Sequence, residues 1–88
     1  MILKPLSAAL ELTLDLDIED ASLVSIINTN TTAKFIRISP ENQVIGIAAG
    51  ERILLEKTAV HTLRGFDDAA LNTASGSGVW ATKVAYKN

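Results

Sequence analysis

Asp15, Asp17 and Asp20, spaced two and three residues apart, are the side chains best placed to do chemistry. Clustered carboxylates suit a hard cation, and Asp-x-Asp is how a calcium loop opens. Such a loop also needs a glycine for its sharp bend and a glutamate at its twelfth position. This stretch has no glycine, and its leucines fit a strand better than a loop. Asp67-Asp68 is a second acidic pair, but two neighbours in sequence read as a helix start; general acid–base work needs carboxylates that converge in a cleft. The single histidine, His61, has no cysteine to activate, since the chain has none. No Gly-x-Ser-x-Gly elbow is present, and no glycine-rich loop ends in Gly-Lys-Ser/Thr. The sequence therefore assigns no catalytic residue, no metal ligand and no cofactor, and the expectation is a protein that is not an enzyme.

The elements that carry these residues are strands. Residues 10 to 18 read Leu-Glu-Leu-Thr-Leu-Asp-Leu-Asp-Ile. Successive side chains leave a strand on opposite faces, so Leu10, Leu12, Leu14, Leu16 and Ile18 share one face, with Glu11, Thr13, Asp15 and Asp17 on the other. A helix would scatter the leucines around its circumference. The pattern predicts one half-buried strand, with Leu12, Leu14 and Leu16 facing a core or an intersubunit surface.

The rest of the chain reads the same way. Residues 23–28, 34–39, 44–48 and 52–57 are apolar and β-branched runs, 60–64 is a short one, and 79–86 closes the chain with Trp80, Val84 and Tyr86 on one side. Between them lie polar or glycine-bearing turns at Glu19–Ser22, Asn28–Thr32, Pro40–Asn42 and Ala49–Glu51. Phe66 to Asn72 is expected to make one or two helical turns, and Thr73 to Gly78 to be flexible. Short strands at roughly ten-residue spacing predict an all-β fold, a small antiparallel sandwich or barrel of six to seven strands with an N-terminal strand or arm.

Composition bounds the rest. With 88 residues the chain makes one domain, which buries only ~60–65% of its unfolded surface. Lacking disulfides, a core this thin is commonly supplemented by association. The formal charge of −2 gives no field for nucleic acid, and the few aromatics make no basic stacking platform. No apolar run reaches the ~20 residues of a membrane span, and no signal-peptide pattern precedes the first strand, so a soluble, unprocessed chain is expected. The charges are uneven. Residues 1–20 carry five of the ten acids against Lys4 alone, and residues 21–88 carry seven bases against five acids, a balance of +2.

Across residues 23 to 88 the chain also resembles a known group of proteins. The residues are Ile27-Asn28-Thr29-Asn30-Thr31-Thr32, then Ile47-Ala48-Ala49-Gly50-Glu51 leading into Ile53-Leu54-Leu55-Glu56-Lys57, then Thr62-Leu63 and Ala81-Thr82-Lys83-Val84-Ala85-Tyr86. In this order they resemble small virion structural proteins of tailed bacteriophages, especially those of marine bacteria and cyanobacteria. The resemblance implies a compact β domain on the capsid or at the neck and tail, found in the virion and assembled in the host cytoplasm. It implies a non-enzymatic decoration or cement protein that staples neighbouring coat subunits. The partners would be the phage major capsid protein or other virion proteins and further copies of the chain, with no nucleic acid and no membrane. The alternatives are a neck or tail component, or a small cellular ligand-binding β-sandwich module.

The acidic stretch has no counterpart in that resemblance, so two regions are expected: an N-terminal acidic strand or arm over residues 1–20 and a compact β domain over 21–88. An arm that adds its strand to a neighbour would place Leu10, Leu12, Leu14 and Leu16 on apolar surface. Asp15, Asp17 and Glu19 would then face bases such as Arg37, Arg52 or Lys57 of a second copy. Phe66 and Leu71, in the 66–78 excursion, complete the expected partner-contacting set. The rival expectation is an arm folded back on its own sheet.

Overall fold

In the computed structural model, which describes residues 2–6 and 8–87, the chain is all-β and antiparallel. The strands are β1 (Ile2–Pro5), β2 (Leu10–Glu11), β3 (Leu23–Asn28), β4 (Lys34–Ser39), β5 (Gln43–Ile47), β6 (Arg52–Glu56), β7 (Thr62–Phe66) and β8 (Val79–Lys87). They form two sheets. One runs β1-β8-β3-β6, with β2 also on β8, and the other runs β5-β4-β7. β1 and β2 share one edge of β8. Their register slips between Pro5↔Val84 and Leu10↔Ala81, where five residues advance against three. They are two pieces of one interrupted strand, so the sandwich is seven strands in all, its thinnest extent 18 Å.

The core lies between the sheets. Direct partners in an antiparallel pair point to the same face. Val24 and Ile26 of β3 thus lie beside Ala81 of β8 and Ile53 and Leu55 of β6. They pack against Ile36 and Ile38 of β4, Ile47 of β5 and Leu63 of β7. The alternation is strict in β4, which runs buried, half-buried, and in β6, which runs exposed, half-buried, while β3 is buried on both faces over Leu23–Ile26.

A polar residue pins one end of the sandwich. Asn28, fully buried, donates to the carbonyls of Thr32 (2.9 Å), Ile47 (3.2 Å) and Ala48 (3.3 Å). Its own carbonyl oxygen, Oδ1, accepts from the backbone N–H (3.0 Å) and side-chain amide (2.9 Å) of Asn30. The β3–β4 turn is thereby stitched to the β5–β6 turn. Truncation would strand acceptors that the fold has removed from water.

The stretch after β7 departs from the sequence expectation. Among the described residues there is no helix. The Asp68 carboxylate instead accepts from the Asn72 and Thr73 backbone N–H groups, both at 3.0 Å, and makes a side-chain-capped turn. Nor is 73–78 a free linker. Ala74 bridges to Phe66, and the Ser75 N–H donates to the Gly65 carbonyl at 3.0 Å. Gly76 is buried, and a Cβ there would lie 1.5 Å from the Leu12 carbonyl oxygen. The glycine read from the sequence as flexibility is a close approach of two backbones.

Three substitutions test this packing. Gly76→Ala is expected to destabilise by about 3 kcal/mol or more, because the clash is with backbone and no rotamer relieves it. Gly50→Ala meets no neighbour within 4 Å and has only its φ of +73° against it, so about 1 kcal/mol is expected. Asn28→Ala is expected to cost roughly 2–3 kcal/mol. Urea unfolding monitored by circular dichroism measures all three, and equal midpoints for the two glycine variants would contradict the packing described.

Candidate interaction surface

The acidic stretch is not one strand. β2 ends at Glu11, and the chain then crosses from one sheet to the other. The Leu12 N–H donates to the Val79 carbonyl of β8 (2.9 Å), while the Leu12 carbonyl accepts from the Gly65 N–H of β7 (3.0 Å). Four residues further along, Leu16 exchanges both backbone hydrogen bonds with Leu63, at 3.1 and 2.8 Å. The crossing thus covers the outer edge of β7. It ends in a left-handed turn, with Ile18, Glu19 and Asp20 at φ of 55°, 56° and 58° and the Ala21 N–H donating to the Ile18 carbonyl at 3.1 Å. Such a conformation costs about 1–2 kcal/mol per residue and is least suited to a β-branched side chain. Complete burial of Ile18 and Ala21 offsets it, and Lys83 Nζ donates to the Glu19 carbonyl at 3.1 Å.

The leucines therefore do not share a face. Leu12 and Ile18 are core residues, Leu10 and Leu16 are half-buried against the core, and Leu14 is 63% exposed. The period-two reading put Leu14 with Leu12 and Leu16. The crossing breaks that alternation by spending the Leu12 backbone on two sheets.

Asp15 clamps the crossing to the outer face of the β5-β4-β7 sheet. Arg37 and Arg64 are direct cross-strand partners. Like charges at that spacing repel, and Asp15 lies between them, 2.7 Å from Arg37 Nη2 and 3.9 Å from Arg64 Nη1. Both guanidinium groups sit over the Phe66 ring, 5.0 and 5.8 Å from its centroid, a favourable cation–π arrangement. Asp17 and Asp20 act on Lys57 of the same chain: burial lowers the Lys57 pKa, and these two carboxylates partly oppose that. Asp15, which the arm expectation aimed at a neighbour's Arg37, meets its own.

Of the other expected contact residues, Glu19 is exposed, Asp17 and Leu71 are half-buried, and Phe66 is buried beneath the two arginines. Asp67 and Asp68 diverge. Asp68 caps its turn, whereas Asp67 pairs with the nearly buried Lys34, whose ammonium also donates to Ser75 Oγ at 3.0 Å. His61 Nε2 lies 3.7 Å from a carboxylate oxygen of Glu41. Among the described residues no three His, Asp or Glu side chains are grouped to hold a metal ion.

A second surface went unread in the sequence. On the outer face of the larger sheet, Glu11, Trp80, Ile27 and Arg52 are direct partners in one row across β2, β8, β3 and β6. Thr82, Ser25 and Leu54 form the next row. Trp80 is 37% and Leu54 41% exposed. Ile27 and Leu54 are apolar on the outer face where Val24, Ile26, Ile53 and Leu55 already supply the inner one, a local hint that does not say which strands lie side by side. The chain matches no protein-family model, no curated protein and no solved structure.

The Lys34–Asp67 pair has a pH consequence. The hydrogen bond from Lys34 holds the Asp67 carboxyl below its ordinary value, with its positive charge and the Ser75 hydroxyl adding to this against partial desolvation. A carboxylate depressed in the folded state contributes stability above its unfolded pKa and loses it as pH falls through the folded one. Wild type is thus expected to melt higher than Asp67→Asn at pH 7, with the gap closing below about pH 4. A gap that persists at pH 2 would show that the carboxylate's charge is not its source.

Proposed function

We propose that the chain is a non-enzymatic structural protein of a tailed-bacteriophage virion, a decoration or cement protein that braces neighbouring coat subunits in company with further copies of itself. The observation that carries this reading is Leu14. A 63%-exposed leucine is presented on a segment anchored two residues away on both sides, by the Leu12 and Leu16 backbone hydrogen bonds, and clamped at Asp15. A fixed apolar contact loses little conformational entropy on binding. The exposed Glu19 on the same segment favours a basic group on the partner. The resemblance of residues 23–88 to phage virion proteins supplies the class of partner. A neck or tail position uses the same surface. Exposed Trp80 on an open sheet face favours, as a second reading, a cellular ligand-binding module.

The test is the composition of purified virions of a phage that encodes the chain. The protein is expected in them at a fixed ratio to the coat subunit. Leu14→Asp is expected to fold with its stability within about 0.5 kcal/mol of the parent and to be depleted at least tenfold from particles. Particles without the protein, or full incorporation of the variant, would refute the reading.

A further inference from the structure

The outer face of the larger sheet carries an arrangement that the coat-facing crossing does not use. Near one end of that sheet a row runs Glu11, Trp80, Ile27, Arg52, one residue from each of four strand segments. The charges sit at the two ends with opposite sign, Glu11 Oε2 accepting from the Gly78 N–H (2.8 Å) and Arg52 Nη1 donating to Ser25 Oγ (3.0 Å), and the apolar pair lies between them. Leu54, 41% exposed, continues the apolar surface along β6, and Glu56, exposed two residues further on, adds an acidic rim. An apolar centre containing tryptophan inside a charged rim is the anatomy of a protein interface.

The charge order selects the occupant. Lay a second copy face to face on this sheet, with a two-fold axis along the strands. The row is then reversed, so Glu11 meets Arg52 of the partner subunit and Arg52 meets Glu11 of the partner subunit. Trp80 and Ile27 fall on the equivalent central pair. A two-fold interface must be self-complementary, and a row with opposite charges at its ends meets that requirement. We propose that two copies of the chain associate through this face in that orientation.

The face is small. Strands about 4.8 Å apart and residues about 3.4 Å along them give a footprint of roughly 19 by 17 Å. That is well below the ~800 Å² per partner of a standard interface and belongs with weak, reversible ones, so association only at high protein concentration is expected. A pair of copies would present two Leu14 contacts at once, and linked weak contacts bind more tightly than either alone. The inference concerns the chain by itself and stands or falls separately from the virion reading.

Trp80 is the only tryptophan in the chain and reports directly on the face. As concentration rises, its emission is expected to shift to shorter wavelength, in step with a rise to dimer mass in sedimentation equilibrium. Leu54→Asp, on the edge strand, is expected to stay monomeric with an unchanged circular-dichroism spectrum. Arg52→Glu and Glu11→Lys each place like charges in contact, so each alone is expected to associate at least tenfold more weakly. Mixed in equal amounts they are expected to pair at near-parental strength, because both contacts are then restored in the mixed dimer. A parent chain monomeric at about 1 mM, which corresponds to less than ~4 kcal/mol of association, overturns the proposal. So does Leu54→Asp dimerising like the parent, or a mixture no tighter than its components. If either charge variant fails to fold, Leu54→Asp and the Trp80 emission decide.

Discussion

Leu12 is where the two sheets become one protein. Its N–H serves β8, its carbonyl serves β7, and its side chain is sealed in the core. Backbone groups removed from water must be paired, so the chain can pass between layers only where both sheets offer a partner at the same place. That requirement brings Gly65 and Gly76 against the crossing with no room for a Cβ at either. It also ends β2 after two residues and leaves Leu14 outside. The acidic segment is therefore part of the frame that closes the sandwich.

Around that junction the small core is helped by polar pins. Asn28 joins two turns at one end, while Lys34, paired with Asp67 and Ser75, ties β4 to the stretch that follows β7. Buried polar groups are costly unless they are satisfied, and satisfied ones reject alternative arrangements. In a domain with no disulfide and a core of medium-sized aliphatic residues, such pins fix which turn lies over which strand. The left-handed turn at 18–20 is held in the same way, by burial of the residues at its ends.

The charges are largely spent inside the molecule. Asp15 neutralises the Arg37–Arg64 pair, and Asp17 and Asp20 lie near Lys57. The uneven charge of the sequence is thus balanced within the fold. What it leaves for partners is a leucine on an anchored segment and an apolar sheet face flanked by Glu11 and Arg52. On the proposed reading the first would meet a foreign surface and the second a further copy of the chain.

The sequence alone determined the class of the fold. Alternation in residues 34–39 and β-branched runs elsewhere allow only strands, and Asn, Gly and Pro clusters separate them at hairpin lengths. The β-strands were legible because each is a local pattern. Tertiary structure decided where that pattern stops. Alternation from Leu10 to Ile18 states which residues share a face if the strand continues, and it cannot state that the strand is cut when Leu12 meets two sheets. The turn after Phe66 was misread for a related reason: Asp, Ala and Leu suit a helical start, but the Asp68 carboxylate and the backbone of β7 capture the same N–H groups first. Gly76 read as flexible because a glycine that serves a close approach looks, in sequence, like one that serves a loop. The row from Glu11 to Arg52 could not be read at all, since it exists only once strands from both ends of the chain are paired, and pairing between distant segments is set by the packing of the whole.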